Sequence, residues 1–248
     1  KMKNFKHPLM ESNFTKSDIN LVIKLLKKKN VILTQSTNVL KFEKTWSKWL
    51  GVKYSVFVNS GSSANLLSIA ILKILDKKKK KNIILPALTW SSDVASVIQN
   101  NLRPVFVDIN LNNLSMNLTE AKKKIDKKTL AVFITHAQGF NALTKNFINF
   151  LKRKKIPLVE DVCESHGATF EKKKLGTLGL ISNFSFYYAH HMSTIEGGMI
   201  CTNNKNIYEL ARLLRSHGMA RELSDKKKEI KIIKSNPKLS PKFIFLHP

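Results

Sequence analysis

Seven short apolar runs punctuate the chain: YSVFV (54–58), NIILP (82–86), RPVFVDI (103–109), LAVFIT (130–135), IPLVED (156–161), NFSFY (183–187) and GGMICT (197–202). Their β-branched and aromatic content marks them as strands. Longer amphipathic stretches lie between several of them, including SSANLLSIAILKILDKK after the first and SSDVASVIQNN after the second. After the last, NNKNIYELARLLRSHGMAR reads as a helix ending at Gly218, the residue type that closes helices in a left-handed turn. Upstream, FTKSDINLVIKLLKKKN opens with Thr15 three residues before Asp18, the spacing of a capping box. It carries Ile19, Leu21, Val22, Leu25 and Leu26, which predicts a helix leading into the core. Strand–helix alternation predicts an α/β fold: a mostly parallel sheet between helices, buried on both faces.

These patterns divide the chain into an N-terminal helical segment (1–30), one large domain (31–221) and a lysine-rich stretch (222–248). The last carries Pro237 and Pro241 and stops at FIFLHP. A final apolar run with nothing after it to cover it predicts a further C-terminal domain that is missing here. No internal repeat is visible.

Composition narrows the class. At 248 residues with 43% apolar content the chain can bury a substantial core. The formal charge of +26 would by itself point to nucleic acid or an anionic surface. Only five of the 43 basic residues are arginine, however, and the lysines gather in runs such as LDKKKKKN, AKKKIDKK and LKRKKI, at helix ends or in connections. That placement is a solvated face, and no basic stretch is interleaved with aromatics, so no nucleic-acid partner is expected. Two cysteines, Cys163 and Cys201, form no CxxC pair, and no apolar run approaches the roughly 18–20 residues that span a bilayer. A cytoplasmic protein without a membrane partner is expected.

Candidate chemistry collects where strands end. VNSGSSANLL follows a strand and opens a helix, so the backbone N–H groups of Gly61, Ser62 and Ser63 would face a phosphate; an ordinary Ser/Gly turn with a capping serine has the same sequence. LVEDVCESHGA places Glu160 and Asp161 at the end of a buried strand, where a carboxylate can hold a protonated ring nitrogen or a metal, or cap the next segment. ALTWSSD places Trp90 just past another strand, to stack on a flat ligand or to pack in the core.

Taken together, LTQSTNVLKFEKTWSKWLGVKYSVFVNSGSSANL, LPALTWSSDVASVIQNNLRPVFVDIN, VEDVCESHGA, FSFYYAHHMSTIEGGMICT and LRSHGM resemble the DegT-type sugar aminotransferases, pyridoxal-phosphate enzymes of fold type I. The likeness covers nearly the whole chain. It implies that Ser62 and Ser63 hold the cofactor phosphate with Ser185 adding a hydroxyl, that Trp90 stacks on the pyridine and that Asp161 pairs with its nitrogen. Glu164 falls near the cofactor's phenolic oxygen, where many relatives have glutamine. Family active sites borrow residues from a second subunit, which implies a homodimer.

The family's aminotransferases carry a lysine six residues after the first phenylalanine of the FSF strand and six before Glu-Gly-Gly. Counted from Phe184 or back from Glu196, that position is His190. Imidazole cannot replace lysine as a stable covalent anchor, but its pKa suits proton transfer. Histidine here is the mark of the family's 3-dehydratases, which act on nucleotide-linked 4-keto-6-deoxy sugars in the making of surface polysaccharide. The resemblance therefore implies pyridoxamine phosphate held without a covalent bond, His190 as base, a nucleotide-sugar substrate, and glutamate to restore the amine. One dehydratase branch adds an iron–sulfur cluster held by several cysteines; with Cys163 and Cys201 alone, the cluster-free branch fits.

Other readings stay open. His190 and His191 as zinc ligands suffer from adjacency, since neighbouring side chains diverge, and no metal is expected. His191 reads as a supporting residue, His166 as a hydrogen-bonded core histidine, and His217 as either structural or lining the sugar site. An aminotransferase with an unusual catalytic residue and a non-catalytic family member are the alternatives to a dehydratase.

Overall fold

The computed structural model describes residues 14–246. Each of the seven apolar runs forms a strand of one sheet: β1 (Tyr54–Val58), β2 (Asn82–Pro86), β3 (Arg103–Val107), β4 (Thr129–Thr135), β5 (Leu158–Asp161), β6 (Ile181–Ser185) and β7 (Gly198–Thr202). Their spatial order is β1-β7-β6-β5-β4-β2-β3. Only β7 runs against its neighbours, so the sheet is mostly parallel, as the sequence pattern predicts. The FSF strand is shifted two residues towards the N-terminus, because Ser185 is the last residue to pair with β7 and Tyr187 is exposed.

Among the described residues eight α-helices accompany the sheet: α1 (Lys16–Leu26), α2 (Thr37–Leu50), α3 (Gly61–Leu75), α4 (Ser91–Gln99), α5 (Leu118–Lys124), α6 (Lys145–Lys154), α7 (Lys205–Arg215) and α8 (Lys226–Ser235). Strand residues alternate between two apolar layers. Ile83, Leu85, Ala131 and Phe133 pack with α3, α4 and α7, whereas Ile84, Val132 and Ile134 face α6 and Ala121 of α5. A third cluster, built on Trp46 and Leu50 of α2 with Phe184, Phe186 and Met199, continues the second layer. With both faces covered, alternation is hidden inside near-continuous hydrophobic runs.

α2 lay within the sequence match without being read as a helix. Its signals are Phe42, Trp46 and Leu50 at intervals of four, and Gly51 at φ +92, whose N–H closes the helix on Ser47 O at 2.9 Å. Across the fold, Glu43 of α2 accepts from Arg215 Nη1 at 2.7 Å and from Phe57 N at 2.8 Å, while the same Arg215 nitrogen donates to Phe57 O at 2.9 Å. This buried pair ties α2, β1 and the end of α7 together.

The helix expected at the N-terminal end forms, and one expectation at the C-terminal end is corrected. α1 has its capping box, with Thr15 Oγ1 and Asp18 bonded reciprocally, but it has no buried residue: Ile19, Leu21 and Val22 are all more than half exposed. Residues 1–13 of the N-terminal segment lie outside the described residues. At the other end, the stretch after Arg221 forms α8, whose N-cap Asp225 accepts from Lys227 N and Lys228 N. The closing apolar run is partly covered: Ile244 is buried, its carbonyl accepts from Ala220 N at 2.8 Å, and Leu246 N donates to Gly218 O at 2.7 Å.

Candidate active site

Parallel strands deliver their C-terminal residues to one edge of the sheet, the edge at which open α/β sheets bind ligands. Register places Thr135 beside Asp161 and Asp161 beside Asn183, while antiparallel β7 brings Gly198 next to both Val58 and Ser185. α7 starts from the opposite edge and returns to this one, ending at Arg215.

The start of α3 is pressed into that edge. A Cβ on Gly61 would lie 2.6 Å from Ser185 Cβ and 3.0 Å from Cys163 Sγ, and one on Gly198 would lie 2.2 Å from Ser60 O. Only glycine at both positions lets the helix mouth sit beside the Ser185 hydroxyl. Both readings of the serines hold at once. Ser60 is the capping residue, its Oγ accepting from Ser63 N at 3.0 Å, so the Ser63 N–H expected to face a phosphate is already engaged. Gly61 and Ser62 begin the helix, whose first N–H groups have no intrahelical acceptor, and the Ser62 side chain is exposed. A helix N-terminus with serine hydroxyls on two sides suits a phosphate dianion.

Four residues further along the same face of α3, Asn65 reaches the strand-end carboxylates. Its Nδ2 lies 3.1 Å from Asp161 Oδ2 and 2.6 Å from Asp93 Oδ1. Asp161 is 3% exposed and its Oδ1 also accepts from Cys163 N at 2.8 Å, so it both caps the following turn and points its charge into the edge. Glu160, one residue earlier, faces the other way and has a structural task. Its carboxylate accepts from Gly176 N and Leu178 N at 2.9 Å, from Gly179 N at 2.5 Å and from His136 Nε2 at 3.2 Å. The sequence pair thus splits by strand alternation into one site carboxylate and one turn anchor.

His190 follows β6 and is half-buried in a turn closed by its own N–H to Tyr187 O at 3.0 Å. Burial lowers its pKa below the usual 6.5, outweighing the opposing pull of Glu164 first and Asp161 second. The ring is a neutral imidazole at pH 7, able to accept a proton. Glu164 also accepts from Gln138 N at 3.3 Å and Gln138 Nε2 at 3.2 Å, which pins the left-handed Gln138 turn to the site.

The remaining candidates separate. Trp90 is the residue before α4 and is 65% exposed, so it is no core tryptophan; it stands just past the end of β2. His217 is exposed in a left-handed turn (φ +59) after α7, at the same sheet edge. His191 is exposed with its ring 5.5 Å from that of His166. His166 corrects the sequence reading: caged by Trp46, Phe184 and Phe186, with ring centroids 5.6 Å from each, it leaves both ring nitrogens buried without a hydrogen bond. Among the described residues no group of three His, Cys, Asp or Glu side chains is placed to hold a metal. Residues that the sequence did not single out, Asn65, Thr89, Asp93, Thr135 and Asn183, form the polar floor beneath Asp161.

The donor set fits a phosphorylated, protonated heteroaromatic ring: a helix mouth and hydroxyls for the dianion, a buried carboxylate for a ring N–H, and an exposed indole for the ring face. The family model for the DegT/DnrJ/EryC1/StrS aminotransferases matches residues 13–241. The chain is 36% identical over 245 residues to GDP-4-keto-6-deoxy-D-mannose 3-dehydratase of Escherichia coli O55:H7, covering 98% of this chain and 62% of that protein. It is 36% identical to the enzyme of the same name from Yersinia pseudotuberculosis, covering 90% and 57%. A crystal structure of GDP-4-keto-6-deoxymannose-3-dehydratase with a trapped PLP-glutamate geminal diamine superposes with a TM-score of 0.88 at 36% identity, covering 98% of this chain and 63% of that one. The chain thus spans about three-fifths of the length of these relatives.

Proposed function

We propose that this chain, which belongs to the DegT/DnrJ/EryC1/StrS aminotransferase family, is the cofactor-binding part of a 3-dehydratase for a nucleotide-linked 4-keto-6-deoxy sugar, with GDP-4-keto-6-deoxymannose as the leading substrate. Its cofactor is pyridoxal phosphate, working in the pyridoxamine phosphate form. The observation that carries this reading is His190: a half-buried imidazole, neutral at pH 7 and flanked by Asp161 and Glu164, at the place where the family's aminotransferases have their lysine.

When bound, the cofactor supplies a protonated pyridine ring that accepts electrons from carbon. The protein's part is positional. Gly61 and Ser62 at the mouth of α3, with Ser63 and Ser185, hold the phosphate; Trp90 covers the ring; Asp161 accepts from the ring N–H and keeps it protonated. Glu164 lies towards the phenolic oxygen. His190 would take a proton at the C4′ carbon, and the sugar's C3 hydroxyl would leave as water with a proton returned by the same imidazole. Because an imidazole forms no lasting covalent link to the cofactor, His190 would leave a bound amine group available to the sugar's C4 keto group.

Glutamate as the amine source follows from the adduct in the similar crystal structure. His217, at the same edge, is placed to line the sugar side. A homodimer is part of the proposal, and the exposed apolar residues of α1 together with Ile32 and Leu33 offer a surface for a second copy. We take residues 31–221 as the cofactor domain, and the cytoplasm as its setting.

The reading is tested by reconstituting the purified chain with pyridoxal phosphate and treating it with borohydride. The cofactor should stay removable from the polypeptide, whereas the His190→Lys variant should retain it covalently. Covalent retention by the wild type would mean that a lysine serves the site, and an aminotransferase would then be the better reading.

A further inference from the structure

Beneath the proposed ring site lies a second carboxyl group that the proposed chemistry does not use. Asp93, in the first turn of α4, is 1% exposed. Its Oδ1 is 2.6 Å from Asn65 Nδ2; its Oδ2 accepts from Thr135 Oγ1 at 2.9 Å and from Thr89 Oγ1, and the two threonine hydroxyls are 2.6 Å apart. The same Asn65 nitrogen is 3.1 Å from Asp161 Oδ2. Asn65 is itself oriented from behind: Asn183 Nδ2 donates to Asn65 Oδ1 at 2.8 Å, and Ser68 Oγ donates to Asn183 Oδ1 at 2.7 Å. That relay turns the Asn65 NH2 group towards both carboxyls.

We propose that Asp93 is a positioning residue for Asp161: a neutral carboxylic acid, gripped by Thr89 and Thr135, that shares the Asn65 amide with Asp161 and leaves Asp161 as the one charged carboxylate beneath the ring. The role rests on the cofactor site proposed above. Two anions sharing one amide away from water repel strongly, and the groups bonded to Asp93 are neutral amide and hydroxyl groups that cannot compensate a second charge. Burial first, then the adjoining Asp161 carboxylate, push the Asp93 carboxyl well above the usual carboxylate range. Asp161 receives hydrogen bonds from Cys163 N at 2.8 Å and from Asn65 Nδ2 at 3.1 Å. Each favours its ionised form, so a proton between Asp161 and a ring nitrogen stays on the ring.

Two measurements test this. Infrared difference spectra of the cofactor-free chain at pH 7, wild type minus Asp93→Asn, should show the C=O stretch of a protonated carboxylic acid that moves on 13C labelling of aspartate. Its absence overturns the proposal. In the second, pyridoxamine phosphate labelled with 15N in the ring is bound to three proteins. Wild type and Asp93→Asn, which keeps a neutral hydrogen-bonding side chain, should hold the ring-nitrogen resonance at its protonated position. Asp93→Val should shift it towards the neutral position and bind about tenfold more weakly. If Asp93→Val keeps both the resonance and the affinity of a wild type that binds, the role of Asp93 is overturned while the cofactor site stands. A wild type that does not bind pyridoxamine phosphate overturns both.

Discussion

His166 couples the stability of this site to pH in a way that can be measured without substrate. Its ring is held among Trp46, Phe184 and Phe186, with both nitrogens lacking a hydrogen-bond partner. Burial first, then the proximity of His191 and His190, lowers its pKa from 6.5 to about 4, outweighing the opposite effects of the Ser185 backbone and Asp161. The unfolded chain therefore binds the proton more readily than the folded one. Stability is fully present above pH 6.5 and is lost as the pH falls towards 4. For these two values the loss between pH 7 and pH 5 is about 2 kcal/mol, approaching about 3 kcal/mol once both states are protonated. His166→Phe removes the titration while filling the aromatic cage, and at pH 7 the variant should lie within about 1 kcal/mol of the wild type or above it, because two orphaned polar atoms disappear. Urea unfolding of both proteins at pH 7 and pH 5 gives the double difference. The variant should lose about 2 kcal/mol less than the wild type over that interval. Parallel losses in the two proteins would show that His166 titrates normally and is solvated.

Other consequences follow from the same geometry. Gly198→Ala drives a methyl group to 2.2 Å from Ser60 O, so it should displace the mouth of α3 and weaken pyridoxamine phosphate binding at least tenfold, read by fluorescence titration; unchanged affinity would place the phosphate elsewhere. Arg215→Met leaves the Glu43 carboxylate buried without its cation and should cost about 3–5 kcal/mol in denaturant unfolding, much of it recovered in the Glu43→Leu/Arg215→Met double variant. His190 must be neutral to act as a base, so the rate should fall on the acid side with a midpoint below 6.5. Glu164→Gln removes the strongest influence raising that pKa and should move the midpoint lower still; a shift to higher pH would contradict the assigned contact.

All seven strands were legible because each is a short β-branched or aromatic run in a sheet buried on both faces. α2 was not, because the exposed Leu40 and Trp49 blur the stripe of Phe42, Trp46 and Leu50, and the polar Glu43 and Ser47 are buried within it. α8 is weakly marked, because its Lys226–Lys228 opening has the composition of a solvated loop and it buries no residue, which leaves the N-cap Asp225 and the Ile230–Ile233 spacing as local signals. Motif order singled out Gly61, Ser62, Trp90, Asp161, Ser185 and His190 as candidates, and the fold brings them to one sheet edge or its rim. Spacing could not show that Ser60 uses the Ser63 N–H, that Glu160 turns away to anchor Gly176 and Gly179, or that Asp93 lies under Asp161. The first is a local cap that has the same sequence as a phosphate cradle, and the other two depend on contacts between segments far apart in sequence, such as Asn65 with Asp161 or Glu160 with Leu178.

The central claim is that His190 moves a proton in a dehydration. Loading the chain with pyridoxamine phosphate, adding GDP-4-keto-6-deoxymannose and following products by mass spectrometry tests it directly. The account predicts a 3-deoxy keto sugar from the wild type and its loss in His190→Asn. A 4-amino sugar as the wild-type product, or a 3-deoxy product made equally well by His190→Asn, would contradict it.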